Sequence, residues 1–214
     1  MSPSIIDHSF LTKDEIKDIK TKVLLLRDKW VPLNPTEEKI FDSVVVRMMP
    51  AGMYNFSLTE EEIKANNQLM HDNFSIYYTK IKEKLSLYYN IPVDYSHEFQ
   101  FPGFHIFITD NVKNVSYRHL NFHKDKFPEH FSFHTLDSIV IPISLPATGG
   151  SLLFNNPPEI FPYKEGMMAI WPGDLIHSIE PFTFTDSIEC RITMQMHVAF
   201  AKLPRPTKKG IIFW

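Results

Sequence analysis

The chain has little cysteine, little glycine and no excess of positive charge. A single cysteine, Cys190, excludes an internal disulfide and a cysteine-rich zinc module. A formal net charge of −3 offers no electrostatic footprint for a phosphate backbone, so we expect no nucleic-acid partner. Seven glycines against sixteen prolines predict rigid corners between elements rather than long flexible linkers.

Long apolar runs and a leader pattern are also missing. The first residues carry no basic segment followed by an apolar stretch, so we expect no secretory signal peptide. No apolar stretch approaches the roughly 20 residues of a transmembrane helix, so we expect no membrane partner. By default these two observations predict a cytoplasmic protein.

Length and composition fit one globular unit. The 214 residues are 43% hydrophobic and 22% charged, which is ordinary for a protein with a buried core. We predict a single domain over 1–214. A helical support layer with one or two strands would span 1–98, a β-rich core 99–201, and a C-terminal tail 202–214.

Two capping boxes predict two helices in the first part of the chain. They begin at Thr12 and Thr59, and each has a glutamate three residues later. Prolines downstream, Pro32 and Pro35 for the first helix and Pro92 for the second, are expected to end them. The apolar stripes recur every three or four residues: Ile16, Ile19, Val23, Leu26 and Trp30, then Ile63, Met70, Phe74, Tyr77, Ile81, Leu85 and Tyr88.

Short β-type segments bounded by Pro and Gly dominate the rest of the chain. Many short strands at this spacing predict a sandwich or barrel. The predicted strands are 41–49, 99–109, one beginning at 121, 136–145, 151–154, 167–171, 174–179 and 187–201.

The segment Asn121–Asp125 carries the chemistry that we consider first. Side chains alternate between faces of an extended strand, so His123 and Asp125 are expected to point the same way. With His177 from a later strand, they would form a 2-His-1-carboxylate face that suits Fe(II) and leaves coordination positions open. A His-x-Asp triplet is a weak signal alone, so its context decides.

The last predicted strand alternates between apolar and polar residues. Arg191 and Thr193 share one face, and Cys190 and Ile192 lie on the other. A surface strand would alternate in the same way. An arginine beside a hydroxyl is nevertheless also what a carboxylate site requires, because the guanidinium fork can bind both carboxylate oxygens.

Several segments together resemble the Fe(II)/2-oxoglutarate-dependent oxygenases. Within that family, their motifs are most similar to those of the prolyl-hydroxylase-like branch. The segments are Gly149–Phe154, Tyr163–Gly166, Ile170–His177 and Arg191–Thr193, which follow the His-x-Asp triplet in the order typical of that family. The resemblance implies a mainly β fold with α-helices: a double-stranded β-helix (jelly-roll or cupin-like) core over 99–201, flanked by N-terminal helices.

The resemblance also implies cofactors and residue roles. His123, Asp125 and His177 would hold Fe(II), and Arg191, with Thr193 beside it, would bind the C5 carboxylate of 2-oxoglutarate. His105 and Tyr117 are candidates for the C1 carboxylate, which no motif assigns. Prolyl hydroxylases often have lysine at the position of Arg191, so the chain departs from a strict collagen-type pattern.

The implied activity is that of a dioxygenase that uses O2 and releases succinate and CO2. We expect hydroxylation of a small molecule or of an amino-acid or peptide side chain. The presence of Asp125 favours this outcome, because family members that halogenate usually have a small residue there.

An alternative is a cupin-like metal-binding protein that does not use 2-oxoglutarate: an isomerase, an O2-only dioxygenase or a sensor. Such proteins commonly carry His-x-His with a later Glu and His, which this sequence lacks. They would also have no need of Arg191. A non-catalytic barrel is a further alternative, and the complete set of candidate ligands argues against it.

Overall fold

A computed structural model describes residues 3–32, 40–41, 44–50, 58–109, 115–118, 121–125, 127, 134–155, 158–201 and 210–213. In these residues the chain is mainly β, with two α-helices, α1 (Lys13–Leu25) and α2 (Glu60–Tyr89), and a 3-10 helix at Arg27–Lys29. The strands are β1 (Ser4–Asp7), β2 (Val31–Pro32), β3 (Ile40–Phe41), β4 (Val44–Met49), β5 (Val93–Tyr95), β6 (Gly103–Ile108), β7 (Val115–Tyr117), β8 (His134–Ser144), β9 (Leu152–Asn155), β10 (Pro158–Phe161), β11 (Met168–Pro172), β12 (His177–Ile179), β13 (Phe182–Phe184), β14 (Cys190–Ala201) and β15 (Gly210–Phe213).

Helix α1 begins with the capping box at Thr12 but ends earlier than its apolar stripe predicts. The Thr12 hydroxyl accepts from the Glu15 N–H, and the Glu15 carboxylate accepts from the Thr12 N–H. The helix stops at Leu25, well before Pro32. The Trp30 indole donates to the carbonyl oxygen of Val23 at 3.1 Å, so a carbonyl of the last turn is satisfied from outside the helix.

Helix α2 ends at Tyr89, and Asn90 follows in the left-handed conformation with φ 53°. Tyr88, expected in the buried stripe, is 47% exposed. Tyr89 takes that place because it lies four residues after the buried Leu85. Its hydroxyl donates to Asp137 at 2.8 Å. Across the described ranges, no helix combines the length and apolarity needed to cross a bilayer.

The largest sheet has ten strands and carries the helices on one face. Its strands run in the order β1-β11-β8-β14-β6-β4-β2, with β3, β5 and β15 paired at its margins. Every pairing is antiparallel except that of β15 with β5. Sheet residues such as Ile106 and Ile192 share one buried cluster with helix residues such as Ile19 and Phe74. This cluster forms the main core.

Two smaller sheets cover the opposite face of the large sheet. One has the order β10-β9-β12 and the other pairs β13 with β7. Val140 of β8 lies in a buried cluster with Phe154 of β9. Phe107 of β6 lies in another with Phe182 of β13. The large sheet therefore has apolar layers on both faces, and the candidate site lies in the inner layer, away from the helices.

The predicted strands that begin at 121 and at 187 differ most clearly from the observed ones. The described part of the segment that begins at Asn121 is not a strand, and only His123 pairs, in an isolated bridge with His177. Strand β14 begins at Cys190 rather than at position 187. The Asp186 carboxylate accepts from the N–H groups of Ile188 and Glu189 and closes a turn there.

The predicted C-terminal tail contains a strand. Residues 210–213 form β15, which pairs with β14 and β5, and Ile212 and Phe213 are buried. Positions 202–209 and 214 of that tail lie outside the described residues.

Candidate metal centre and anion pocket

The two histidines of the predicted iron face are joined through their backbones. The N–H of His123 donates to the carbonyl of His177 at 3.0 Å, and the N–H of His177 donates back at 2.9 Å. Residues that are paired directly across two strands present their side chains on the same face. Their imidazole rings accordingly lie with centroids 4.7 Å apart.

Each imidazole is oriented by a contact between its Nδ1 and the carbonyl oxygen two residues earlier in the chain. His123 Nδ1 lies 2.7 Å from the carbonyl oxygen of Asn121, and His177 Nδ1 lies 2.9 Å from that of Leu175. A carbonyl oxygen can only accept, so Nδ1 carries the proton in each neutral ring. The Nε2 lone pairs are thereby left available to a metal ion, which is the tautomer that metal-binding histidines use with such a partner.

Asp125 completes the group, although no strand holds it. Its Oδ1 lies 3.6 Å from His177 Nε2. Its Oδ2 accepts a short hydrogen bond from the hydroxyl of Ser138 on β8. The two carboxylate oxygens therefore have different partners, and Oδ1 is the one directed toward the histidines.

Ligand atoms of His123, Asp125 and His177 all lie within 4.8 Å of one another, and the three residues form a group that could hold a metal ion. Two imidazole nitrogens and one carboxylate oxygen are the donor set of non-haem Fe(II) sites with open positions. Burial lowers the pKa of His177, with Asp125 opposing the shift. A lowered pKa favours the neutral imidazole, which is the form that binds metal.

Arg191 is a buried cation with an unmet donor. It is 1% exposed, and its Nε donates to the carbonyl of Gly150 at 2.8 Å. Its Nη1 is buried and has no hydrogen-bond partner within the described part of the chain. The guanidinium carbon lies 5.3 Å from the ring centroid of Phe107 and 5.9 Å from that of Tyr163. A buried donor left without an acceptor is costly, so this geometry suits an anionic ligand.

Asp125 and Arg191 lie on the same side of the large sheet. Ser138, the partner of Asp125, contacts His197, which shares the face of Arg191 along β14. Burial lowers the pKa of His105 to about 3, Arg191 lowers it further, and Asp125 opposes the shift. Burial raises the pKa of Tyr163, and here too both Arg191 and Asp125 contribute. The charges of Arg191 and Asp125 therefore both act on the pKa values of these two buried groups.

The remaining predicted residues, Thr193, His105 and Tyr117, are all buried. Thr193 is fully buried and is paired with His105 across β14 and β6. Tyr117 is buried in β7, where its ring stacks on Phe182 at 4.8 Å, and its charge acts on the pKa of Arg191. Arg191 itself is paired with Phe107.

Two contributors were not predicted. Ser138 gave no signal, because an isolated serine in an apolar strand has no motif. Tyr163 stood in a segment quoted for the family resemblance, but no role was assigned to it. Its aromatic ring beside the guanidinium becomes apparent only when distant strands are assembled.

No family model and no curated protein matches the chain. Among solved structures, AviO1 from Streptomyces viridochromogenes Tue57 matches with a TM-score of 0.50 and 11% identity over 96% of this chain and 92% of that one. A 2OG-Fe(II) oxygenase family oxidoreductase from Burkholderia pseudomallei has a TM-score of 0.46, with 14% identity over 94% and 84%. A Pseudomonas putida prolyl-4-hydroxylase has a TM-score of 0.41, with 15% identity over 95% and 92%. At such identities the match to AviO1 shows a similar fold and nothing more.

Proposed function

We propose that this protein is an Fe(II)- and 2-oxoglutarate-dependent dioxygenase, with the large and small sheets forming a double-stranded β-helix. The observation that carries the proposal is the buried Nη1 of Arg191, which has no partner among the described residues and lies on the side of the large sheet where Asp125 of the His-Asp-His group contacts Ser138. A metal group alone fits many chemistries. A buried cation with an unmet donor adds the requirement for an anion, and 2-oxoglutarate, a dianion that can also chelate a metal ion, would meet both requirements.

His123, Asp125 and His177 would hold the iron through Nε2, Oδ1 and Nε2. Bound Fe(II) and 2-oxoglutarate together supply the oxidising chemistry that consumes O2 and releases succinate and CO2. The chain's own contribution is position. The Nδ1 hydrogen bonds fix both imidazole rings, and three protein ligands leave further coordination positions for the co-substrate.

Arg191 would bind the C5 carboxylate of 2-oxoglutarate through its free Nη1. The Thr193 hydroxyl, on the same face two residues later, would accompany it. The rings of Phe107 and Tyr163 exclude water from the guanidinium, and the low local dielectric strengthens its attraction for a carboxylate.

His105 and Tyr117 remain candidates for the rest of the co-substrate. The low pKa of His105 keeps its imidazole neutral, so it would act as a hydrogen-bonding group rather than a second cation toward the C1 carboxylate. Tyr117 packs edge-on against Phe107, the ring next to the Arg191 guanidinium, and this contact favours a place near the C5 carboxylate.

The substrate would be a small molecule or an amino-acid or peptide side chain, and the reaction a hydroxylation. Burial differs across the site: His123 is exposed, whereas Arg191 and Thr193 are buried. We therefore expect 2-oxoglutarate to occupy the deep end and the substrate to approach over His123.

Anaerobic spectroscopy tests the proposal. Fe(II) followed by 2-oxoglutarate should give the weak visible charge-transfer band of the chelate. We expect Arg191→Ala to lose the band at a modest 2-oxoglutarate concentration that saturates the unaltered protein, while His123→Ala loses iron. His71→Ala on the exposed surface of α2 and Ile188→Ala, before the Arg191 strand and 84% exposed, are the controls and should retain both.

The cupin-like alternative predicts a different result. The unaltered protein would then bind iron but give no band with 2-oxoglutarate, and Arg191→Ala would behave as the unaltered protein does. An unchanged band in both Arg191→Ala and His123→Ala would overturn the oxygenase proposal. If the expected bands are observed, a succinate-release assay over candidate substrates would identify the substrate class.

A further inference from the structure

Asp125 is the least supported of the three candidate ligands by backbone structure. Within the segment 121–125, His123 forms an isolated bridge, and Asp125 belongs to no strand or bridge. A carboxylate on irregular backbone has two free side-chain torsions, so something other than a strand must set its orientation.

A pair of side chains on the large sheet supplies that support. Ser138 of β8 and His197 of β14 are directly paired across the two strands and lie on the same face. Ser138 is buried, with 2% of the residue exposed. Its hydroxyl donates to Asp125 Oδ2 on one side. On the other side it lies 3.1 Å from His197 Nδ1.

Proton accounting fixes the direction of this chain of hydrogen bonds. An ionised carboxylate can only accept, so the single hydroxyl proton of Ser138 goes to Asp125. Ser138 must then accept from His197, so His197 Nδ1 carries a proton. The resulting order is His197 to Ser138 to Asp125, and each donor reinforces the next.

His197 also contacts the side chain of Phe127, two residues after Asp125. The ring of Phe127 stands edge-on to the His197 ring with centroids 4.8 Å apart. Gly173 allows this ring to approach, because a Cβ there would lie 2.5 Å from Phe127 Cζ. His197 therefore holds the Asp125 segment both through Ser138 and through Phe127.

We propose that Ser138 and His197 are positioning residues that occupy Asp125 Oδ2 and so present Oδ1 alone to the metal ion. One-oxygen binding by Asp125 leaves an additional coordination position for small ligands. The inference rests on the proposed function only in taking Asp125 as a metal ligand. It concerns how the chain holds that ligand, and it does not depend on 2-oxoglutarate.

Metal affinity measured without turnover tests the inference. Co(II) would be titrated into the full metal-free chain, and its visible absorption would report both affinity and coordination geometry. Ser138→Ala should weaken Co(II) binding by roughly 10- to 100-fold, as loss of a ligand's hydrogen-bond partner does, and should alter the spectrum. His197→Leu should act in the same direction by a smaller factor.

Two matched variants separate positioning from a general effect on folding. Ser144→Ala removes another buried hydroxyl of β8, one that contacts Lys20 and Cys190 instead of Asp125. It should leave Co(II) affinity unchanged. His197→Asn keeps an N–H donor near the position of Nδ1 and should restore most of the affinity lost in His197→Leu. Thermal unfolding of the metal-free proteins shows whether each variant is folded.

Each outcome supports or overturns the inference. Co(II) affinity of Ser138→Ala within twofold of the unaltered protein, with an unchanged spectrum, would overturn it while leaving the proposed function intact. If Ser138→Ala does not fold, equal affinities in His197→Leu and His197→Asn would overturn it. No Co(II) binding by the unaltered protein would overturn both this inference and the proposed function.

Discussion

The two faces of strand β14 differ in polarity and charge. The face toward the helices carries apolar residues that belong to the main core: Cys190, Ile192, Met194, Met196 and Val198. The inner face carries Arg191, Thr193 and His197 within the same strand. One face stabilises the fold by removing apolar surface from water. The other buries a charge and polar groups, which is unfavourable unless they find partners.

The contrast separates residues that stabilise the fold by packing from residues whose burial calls for another explanation. Arg191 has burial as complete as that of Ile192, but burial lowers the pKa of Arg191 and its Nη1 has no partner among the described residues. A buried charge that costs folding free energy and keeps one donor without an acceptor is better explained by a ligand than by packing.

The largest expected effect is on the inner side of the sheet. His177→Ala should reduce Fe(II) binding to background, because two remaining ligands do not hold the ion, while the metal-free protein stays folded. Equilibrium dialysis against Fe(II) under anaerobic conditions measures this. His71→Ala, on the exposed surface of α2, is the control. Full iron binding by His177→Ala would contradict the assignment of His123, Asp125 and His177 as the metal ligands.

On the helix face, Ile192→Ala should destabilise the fold by about 2–5 kcal/mol through lost burial and a new cavity. The folded fraction should bind metal as the unaltered protein does. Denaturant unfolding provides the free energy. Ile188→Ala is the control, because Ile188 is 84% exposed and should change stability by less than about 0.5 kcal/mol. Loss of metal binding in folded Ile192→Ala would show that the two faces are not separable.

Arg191→Met sharpens the comparison, because it exchanges a buried charge for an apolar side chain of similar length. The free energy of unfolding should stay equal or rise, since the unmet Nη1 is removed. Affinity for 2-oxoglutarate should fall by about 10- to 100-fold with the loss of charge-assisted hydrogen bonds. Unfolding and calorimetric titration test the two expectations. A large loss of stability would mean that Arg191 is mainly structural.

The smallest effect expected near neutral pH is a pH dependence of stability that originates on the inner face. The folded pKa of His105 is about 3, below the roughly 6.5 of an unfolded histidine. Between these values the unfolded chain binds the extra proton, so stability is fully present above pH 6.5 and is lost as pH falls. The slope from this group is at most about 1.4 kcal/mol per pH unit.

His105→Gln should remove that part of the slope, and the pH dependence of unfolding measures it. His177, whose pKa is also lowered by burial, should retain its own contribution in the same direction. An unchanged slope in His105→Gln would show that this histidine is not buried in its neutral form.

Local patterns predicted much of the fold. The capping boxes at Thr12 and Thr59 and the alternation along β14 depend on neighbouring residues, so they can be read without tertiary structure. Strands β7 and β13 were missed because each has three residues, which is too short for a periodic signal, and they are defined by pairing with each other.

The proximity of His123, Asp125 and His177 was predicted by a partly incorrect route. Alternation in an extended strand was expected to align His123 with Asp125, but the segment makes only one bridge, to His177. The alignment comes instead from that long-range pairing and from Ser138, which lies thirteen residues after Asp125 in the sequence. Contacts of this kind depend on which strands become neighbours, and no local pattern encodes that.

A crystal structure of the protein grown anaerobically with Mn(II) and 2-oxoglutarate tests the central claim most directly. The account predicts anomalous density between His123 Nε2, His177 Nε2 and Asp125 Oδ1, with the distal carboxylate of 2-oxoglutarate on Arg191 Nη1. A metal bound elsewhere, or 2-oxoglutarate absent from Arg191 at saturating concentration, would contradict it.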